Sequence, residues 1–274
     1  MRTLIKNAWI LTMNEKMQEY KDGQIVIEDD KILYVGKPKE FDSIDNIVDA
    51  KNCLVLPGMV NTHCHVSMLP FRSLQDDCPD RLRRFLFPLE NACMNEDLAY
   101  YGACYGTGEM LLSGITTFAD MYYFMDKVAL ACEKMGIRAV LGETIIDQPT
   151  CDAKNAVEAL KIGEKFIEEW KHHPLITPML APHATNTNTE EIFRKAMEIV
   201  KKHDTLMMTH VAEMDYEMTY FRNKYNMTPI EWLESISCLN QHVLAVHCIH
   251  INEADIQLMK KHDVKVSHCP VSNL

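Results

Sequence analysis

Apolar positions come in short bursts over the first fifty residues and then change period. Thr3-Leu4-Ile5, Trp9-Ile10-Leu11 and Gln24-Ile25-Val26-Ile27 are brief apolar patches, the last followed by the turn Glu28-Asp29-Asp30 and by Ile32-Leu33-Tyr34-Val35. Patches of that length between turn residues predict a small antiparallel β module over residues 1–53. From Leu54 onward, strand-like runs alternate with amphipathic helical stretches, the pattern of a parallel sheet with helical crossovers. Strands are expected over residues 54–65, 115–121, 138–141, 175–182, 206–211, 243–247 and 264–268. Between them, helices are expected from Asn95 to Gly114, from a cap at Asp126 to Gly136, and over residues 152–170. Two more should open at Thr228, with Pro229 in the first helical position, and at Asn252. Residues 54–274 therefore read as an α/β barrel of seven strands.

In such a barrel the functional groups sit at the C-terminal ends of the strands. His65, His183, His210, His247 and His268 all fall there in this assignment. His63 and His65 are two apart, so in a strand both imidazoles point to one face. One histidine on a strand is more often a packed core residue than a ligand; five at equivalent strand ends reverse that expectation. His172, His173, His203, His242, His250 and His262 lie in helices or loops and read as solvated side chains. Three imidazoles from His63, His65 and His210 could hold a divalent metal with one position left for water, whose pKa such a metal lowers towards ~7. Glu213, three residues after His210, is placed for a proton shuttle, and His247 for orienting the same water. The alternatives are that Glu213 opens an exposed helix and that His247 packs under the barrel rim.

Composition narrows the classes. A chain of 274 residues with 47% hydrophobic content can bury a large core, and no apolar run approaches a membrane span. Lys6 and Asn7 interrupt any signal-peptide core, so a cytoplasmic location is expected. The 10 cysteines contain no Cys-x-x-Cys pair and read as reduced, mostly buried thiols. A net charge of -11 repels phosphate backbones and anionic lipid, which excludes nucleic acid and membrane surfaces and leaves a free base or nucleoside open.

The stretch Pro57-Gly58-Met59-Val60-Asn61-Thr62-His63-Cys64-His65 is followed in order by Pro88-Leu89-Glu90, Gly114-Ile115-Thr116-Thr117, Ala181-Pro182-His183, Thr209-His210-Val211-Ala212-Glu213, His247-Cys248 and His268-Cys269-Pro270-Val271-Ser272-Asn273. In this combination the chain resembles the amidohydrolase superfamily, most nearly the branch of chlorohydrolases and of S-adenosylhomocysteine and methylthioadenosine deaminases. The resemblance implies a distorted TIM-type (β/α) barrel with a small N-terminal β-sandwich module. It implies one metal on His63, His65 and His210, with zinc, iron or another divalent ion as the cofactor. Glu213 would be the proton shuttle, His247 would assist the attacking water, and Glu90 and His183 would hold an adenine-like ring. The implied reaction is deamination or dechlorination of a small nitrogen heterocycle such as an adenine nucleoside.

Two departures from the family pattern shape the expectation. Where the adenosylhomocysteine deaminases place an arginine near the end of the third strand, this chain places Glu143, and a carboxylate there would repel a substrate carboxylate. The family's metal-binding aspartate lies on an eighth strand, whereas the chain stops at Leu274; Asp255 and Asp263 fall in a helix and a turn and are no substitute. The expectation is thus a C-terminally truncated barrel lacking its eighth strand, with open edges and an incomplete sandwich over residues 1–53. Such a chain would need a complementing C-terminal segment or would form a homo-oligomer. Two alternatives stand beside the deaminase reading: a catalytically inactive truncated homologue or subunit, and a cyclic amide hydrolase, since the same hydroxide attacks a carbonyl.

Overall fold

The computed structural model describes residues 1–273 and divides into two units, one ending at Met59 and the other beginning at Val60. In the first, β1 (Arg2–Leu11), β2 (Glu19–Glu28) and β3 (Lys31–Gly36) form an antiparallel meander. β4 (Asn46–Asp49) and β5 (Leu54–Val55) run parallel to β1 along its other edge, opposite Thr3–Lys6 and Trp9–Ile10. The sheet is therefore mixed, not wholly antiparallel. Ala8, Ile10 and Ile25 form its small core. The single strand expected over residues 54–65 is two strands, because Leu54–Val55 belongs to this sheet. Pro57, with no N–H to donate, and Gly58 interrupt the ladder before the next strand starts.

The second unit follows a strand-then-helix order. β6 (Met59–Cys64) leads into a 3₁₀ turn (Val66–Phe71), a π-helical turn (Leu82–Leu86), α1 (Phe87–Cys93) and α2 (Glu96–Leu112). Then come β7 (Ile115–Tyr122), α3 (Met125–Met135), β8 (Arg138–Ile145), α4 (Ala156–Trp170), β9 (Ile176–Pro182) and α5 (Glu190–His203). β10 (Met207–Val211), α6 (Asp215–Tyr225), α7 (Pro229–Ser235), β11 (Val243–His247), α8 (Glu253–Lys261), β12 (Lys265–Ser267) and the short α9 (Pro270–Asn273) complete it. The strands pair in chain order from β6 to β12, and the ladders from β7 onward are parallel. Each strand thus lies beside its predecessor, as in a TIM-type barrel. The two edge strands do not splay: Thr62 Oγ1 and Ser267 Oγ meet at 2.7 Å, so among the described residues seven strands make a nearly closed barrel. Ala119, Met121, Met179, Ala181, Met208 and Val246 fill its interior. Among the described residues no helix is long and apolar enough to cross a membrane.

Helix starts follow the side chains that can accept orphan N–H groups. Asn95 caps α2, while Thr228 and Asn252 form capping boxes with Glu231 and Asp255 at α7 and α8. Asp126 does not cap α3. Phe124 occupies that position in the left-handed region (φ 55°), and two side chains distant in sequence take the free N–H groups: Asp152 accepts from Phe124 and Glu143 from Met125, each at 3.2 Å.

The segment after His65 is seated by α2, where glycine permits a close approach. A Cβ at Gly102 would lie 2.7 Å from the Ser67 carbonyl oxygen, and one at Gly106 2.6 Å from Val66 Cγ2. Gly102→Ala should lower the melting temperature, because overpacking costs about 1–3 kcal/mol against a helix-propensity gain of about 1 kcal/mol. A melting temperature equal to or above that of the unsubstituted protein would contradict this close approach.

Candidate metal centre and active site

Five strand ends converge on one cavity of about 690 Å³. β6 contributes His63 and, one residue beyond its end, His65; His183 follows β9, His210 lies in β10, and His247 ends β11. His63 Nε2 and His210 Nε2 are 3.2 Å apart, and donor nitrogens of His63, His210 and His247 all lie within 4.8 Å of one another. The His65 ring centroid is 4.8 Å from that of His63 and 5.4 Å from that of His210, and the His183 ring is 4.9 Å from His210. His268 also borders the cavity, but its Nδ1 donates to the His247 carbonyl at 3.1 Å, which braces two strand ends.

Hydrogen bonds set the tautomers. His65 Nδ1 lies 2.7 Å from the Met121 carbonyl oxygen, which can only accept, so Nδ1 carries the proton and Nε2 is left bare. His247 Nδ1 makes the same kind of contact with Asn273 Oδ1 at 2.9 Å. Burial, reinforced by the neighbouring imidazoles, pushes His63 down to about 2 and His183 to about 3, and it also lowers His65 and His210. His63 Nδ1 is buried with no hydrogen-bond partner among the described residues. A cluster of neutral imidazoles with lone pairs turned towards one another fits a divalent metal, which takes those lone pairs without adding a proton.

The carboxylates fall into two settings. Glu90, on α1, accepts from the Tyr122 hydroxyl at 2.7 Å, and burial raises it to about 7. Glu213 borders the cavity with Oε1 3.4 Å from His247 Nε2 and 3.3 Å from Asn273 Nδ2. The backbone before it is unusual, since Ala212 has φ 51°. Glu217 secures that turn by accepting from the Ala212 and Glu213 N–H groups at 2.9 and 3.0 Å and from the Thr185 hydroxyl.

All seven residues singled out from the sequence border the one cavity: Glu90, His183, Glu213, His247, His63, His65 and His210. Tyr122, Glu217, Thr185 and Asn273 were missed. Glu217 had a signal, because it lies four residues after Glu213 at the start of a helix. The expected repulsion by Glu143 does not arise. Glu143 points out of the barrel, with its Cβ 3.3 Å from where a Cβ on Gly163 of α4 would lie, and it is the adjacent Thr144 that lines the cavity. Burial, with Asp152 beside it, raises the Glu143 carboxyl well above its ordinary value. His173, His203, His250 and His262 pair with Glu133, Glu164, Asp215 and Glu234 away from the cavity, and His242 contacts the Thr205 carbonyl.

The sequence profile of the amidohydrolase family matches residues 54–274. The chain is 37% identical over 276 residues to a 5'-deoxyadenosine deaminase of Methanosarcina mazei, covering 99% of this chain and 63% of the relative. It is 38% identical over 273 residues to a 5-methylthioadenosine/S-adenosylhomocysteine deaminase of Aquifex aeolicus, covering 99% of this chain and 62% of the relative. The chain thus spans about 63% of the length of such curated relatives. Among solved structures, a zinc-bound adenosine deaminase from Xanthomonas campestris superposes with a TM-score of 0.90 at 27% identity, over 99% of this chain and 63% of that one. A triazine hydrolase from Arthrobacter aurescens shares the fold with a TM-score of 0.89 at 21% identity, over 97% and 65%.

Two buried groups of the cavity, His183 and Glu90, should leave opposite marks on stability in metal-free protein. His183, lowered from 6.5 to about 3, contributes stability that is complete above 6.5 and is lost as the pH falls towards 3. Glu90, raised from 4.5 to about 7, contributes stability that is complete below 4.5 and is lost as the pH rises through 7. Relative to the unsubstituted protein, His183→Gln should therefore gain melting temperature from about pH 7.5 down to about pH 5, and Glu90→Gln should gain it in the reverse direction. Calorimetric scans with chelator present check this; a difference independent of pH in either variant contradicts the burial assigned to that side chain.

Proposed function

The chain belongs to the amidohydrolase family, and from that premise we propose that its site deaminates a purine nucleoside by hydrolysis, with zinc as the resident metal. The observation that carries this reading is the meeting of His63, His65, His210 and His247 with Glu213 in the cavity that Glu90 and His183 also line. In this reading His63, His65 and His210 hold the zinc. When bound, zinc supplies Lewis acidity that brings the pKa of water towards ~7.

The protein's own groups carry the rest. Glu213 takes a proton from the attacking water and delivers it to the departing amine, so that a C–O bond forms, a C–N bond breaks and ammonia leaves. His247 Nε2, 3.4 Å from Glu213 Oε1, orients the water towards the ring carbon. Glu90, with its carboxyl raised to about 7, offers a proton to a ring nitrogen while Tyr122 anchors its other side. His183, fixed through Nδ1 against Thr187 Oγ1 at 3.2 Å and packed edge-on to Phe87, presents its free edge to the heterocycle. With Glu143 turned outward, a substrate bearing a carboxylate tail meets no repulsion from it, and both relatives' substrate types stay within the proposal.

Purified protein should hold about one equivalent of zinc and release ammonia from adenosine, 5'-deoxyadenosine or methylthioadenosine, and His210→Ala should lose both properties. Glu213→Gln should keep its zinc while turnover falls by about 10²–10⁴. Metal analysis and an ammonia assay decide the matter: a His210→Ala protein with unchanged zinc and turnover overturns the proposal.

A further inference from the structure

Glu217 is 3% exposed and lies in the first turn of α6, yet no step of the proposed reaction uses it. A carboxylate is costly to bury, and a packing role alone would be filled more cheaply by an apolar side chain. Its partners explain the expense. Oε1 accepts from the Ala212 N–H and the Thr185 hydroxyl, and Oε2 from the Glu213 N–H. These donors come from two strand-end loops. Thr185 lies two residues after His183, in a segment paired to β10 through the Ala184–His210 bridge. Ala212 and Glu213 form the turn that leaves β10.

That turn is strained. Ala212 has φ 51°, in the left-handed region that an alanine enters only when its surroundings hold it there. Its carbonyl accepts from the Ile249 and His250 N–H groups, both at 2.9 Å, so the turn is fixed from the β11 side as well. We infer that Glu217 is a positioning residue: it clamps the Ala212–Glu213 turn to the His183 loop, so that the Glu213 carboxylate is presented to the cavity beside His247. This rests on the deaminase reading for its consequence in turnover, but not for its geometry.

Glu217→Gln separates the possibilities. With its oxygen kept on Ala212 and Thr185, the amide NH₂ faces the Glu213 N–H and that hydrogen bond is lost. Hydrogen exchange at the Glu213 amide should then quicken by roughly tenfold or more. Zinc content should stay as in the unsubstituted protein, since the histidines are untouched. The kcat for nucleoside deamination should fall by about 10- to 100-fold with KM changed by less than about threefold. Thr185→Val, which removes one donor and leaves both N–H contacts, should shift exchange and kcat in the same direction by less, and it serves if Glu217→Gln does not fold. Unchanged exchange at Glu213, or a kcat within about twofold per zinc-loaded folded molecule, overturns the inference. If the unsubstituted protein deaminates no nucleoside, the functional proposal fails while the exchange measurement still decides the role of Glu217.

Discussion

Two imidazole nitrogens 3.2 Å apart, on His63 and His210, set the terms for the rest of the barrel mouth. Only one proton fits between them, and the rings of His65, His183 and His247 stand close by. Two positive charges roughly 5 Å apart repel by about 3 kcal/mol at an effective dielectric constant of about 20, and burial adds to that cost. His63, His65, His183 and His210 are therefore favoured as neutral rings, which is the form that binds a metal. Folding and metal binding thus make the same demand on these side chains.

Holding several lone pairs at such short range needs rigid backbone around them. The Met121 carbonyl selects the His65 tautomer, while Asp120 Oδ1, on the neighbouring outward position of β7, accepts from the Val66 N–H at 3.0 Å and fixes the chain just past His65. His247 and Cys248 both have positive φ, 71° and 53°, as does Ala212 just past the adjacent strand. These bends turn side chains that would otherwise alternate in and out of the barrel towards one opening. Sheet register brings the strand-end histidines together, and the bends at the ends of β10 and β11 turn Glu213 and His247 to the cavity.

Much of this was legible in the sequence because it depends on local pattern. Seven strand runs, the caps at Asn95, Thr228 and Asn252, and the histidines at strand ends follow from short-range chemistry. Where a contact between distant residues decides, the sequence was silent. Asp126 looks like a cap, but Asp152 and Glu143 reach the start of α3 first. Glu143 was misplaced because a period of two sends adjacent strand residues to opposite faces, and it is Thr144 that faces the cavity. Pro57 and Gly58 could have divided the run over residues 54–65, yet nothing local says that Val55 pairs with Ile10. The brace between Glu217 and Thr185 spans 32 residues and leaves no periodic trace.

The proposed zinc site is built from imidazoles and not from the thiols nearby, among which Cys64 and Cys269 also border the cavity. Burial raises both thiols, Cys64 well above its ordinary value, which disfavours the thiolate that zinc requires. X-ray absorption at the zinc edge of the loaded protein measures this directly. A first shell of nitrogen and oxygen at ~2.0–2.1 Å with imidazole scattering beyond it is expected, whereas sulfur at ~2.3 Å, or a shell without imidazole, would contradict ligation by these histidines.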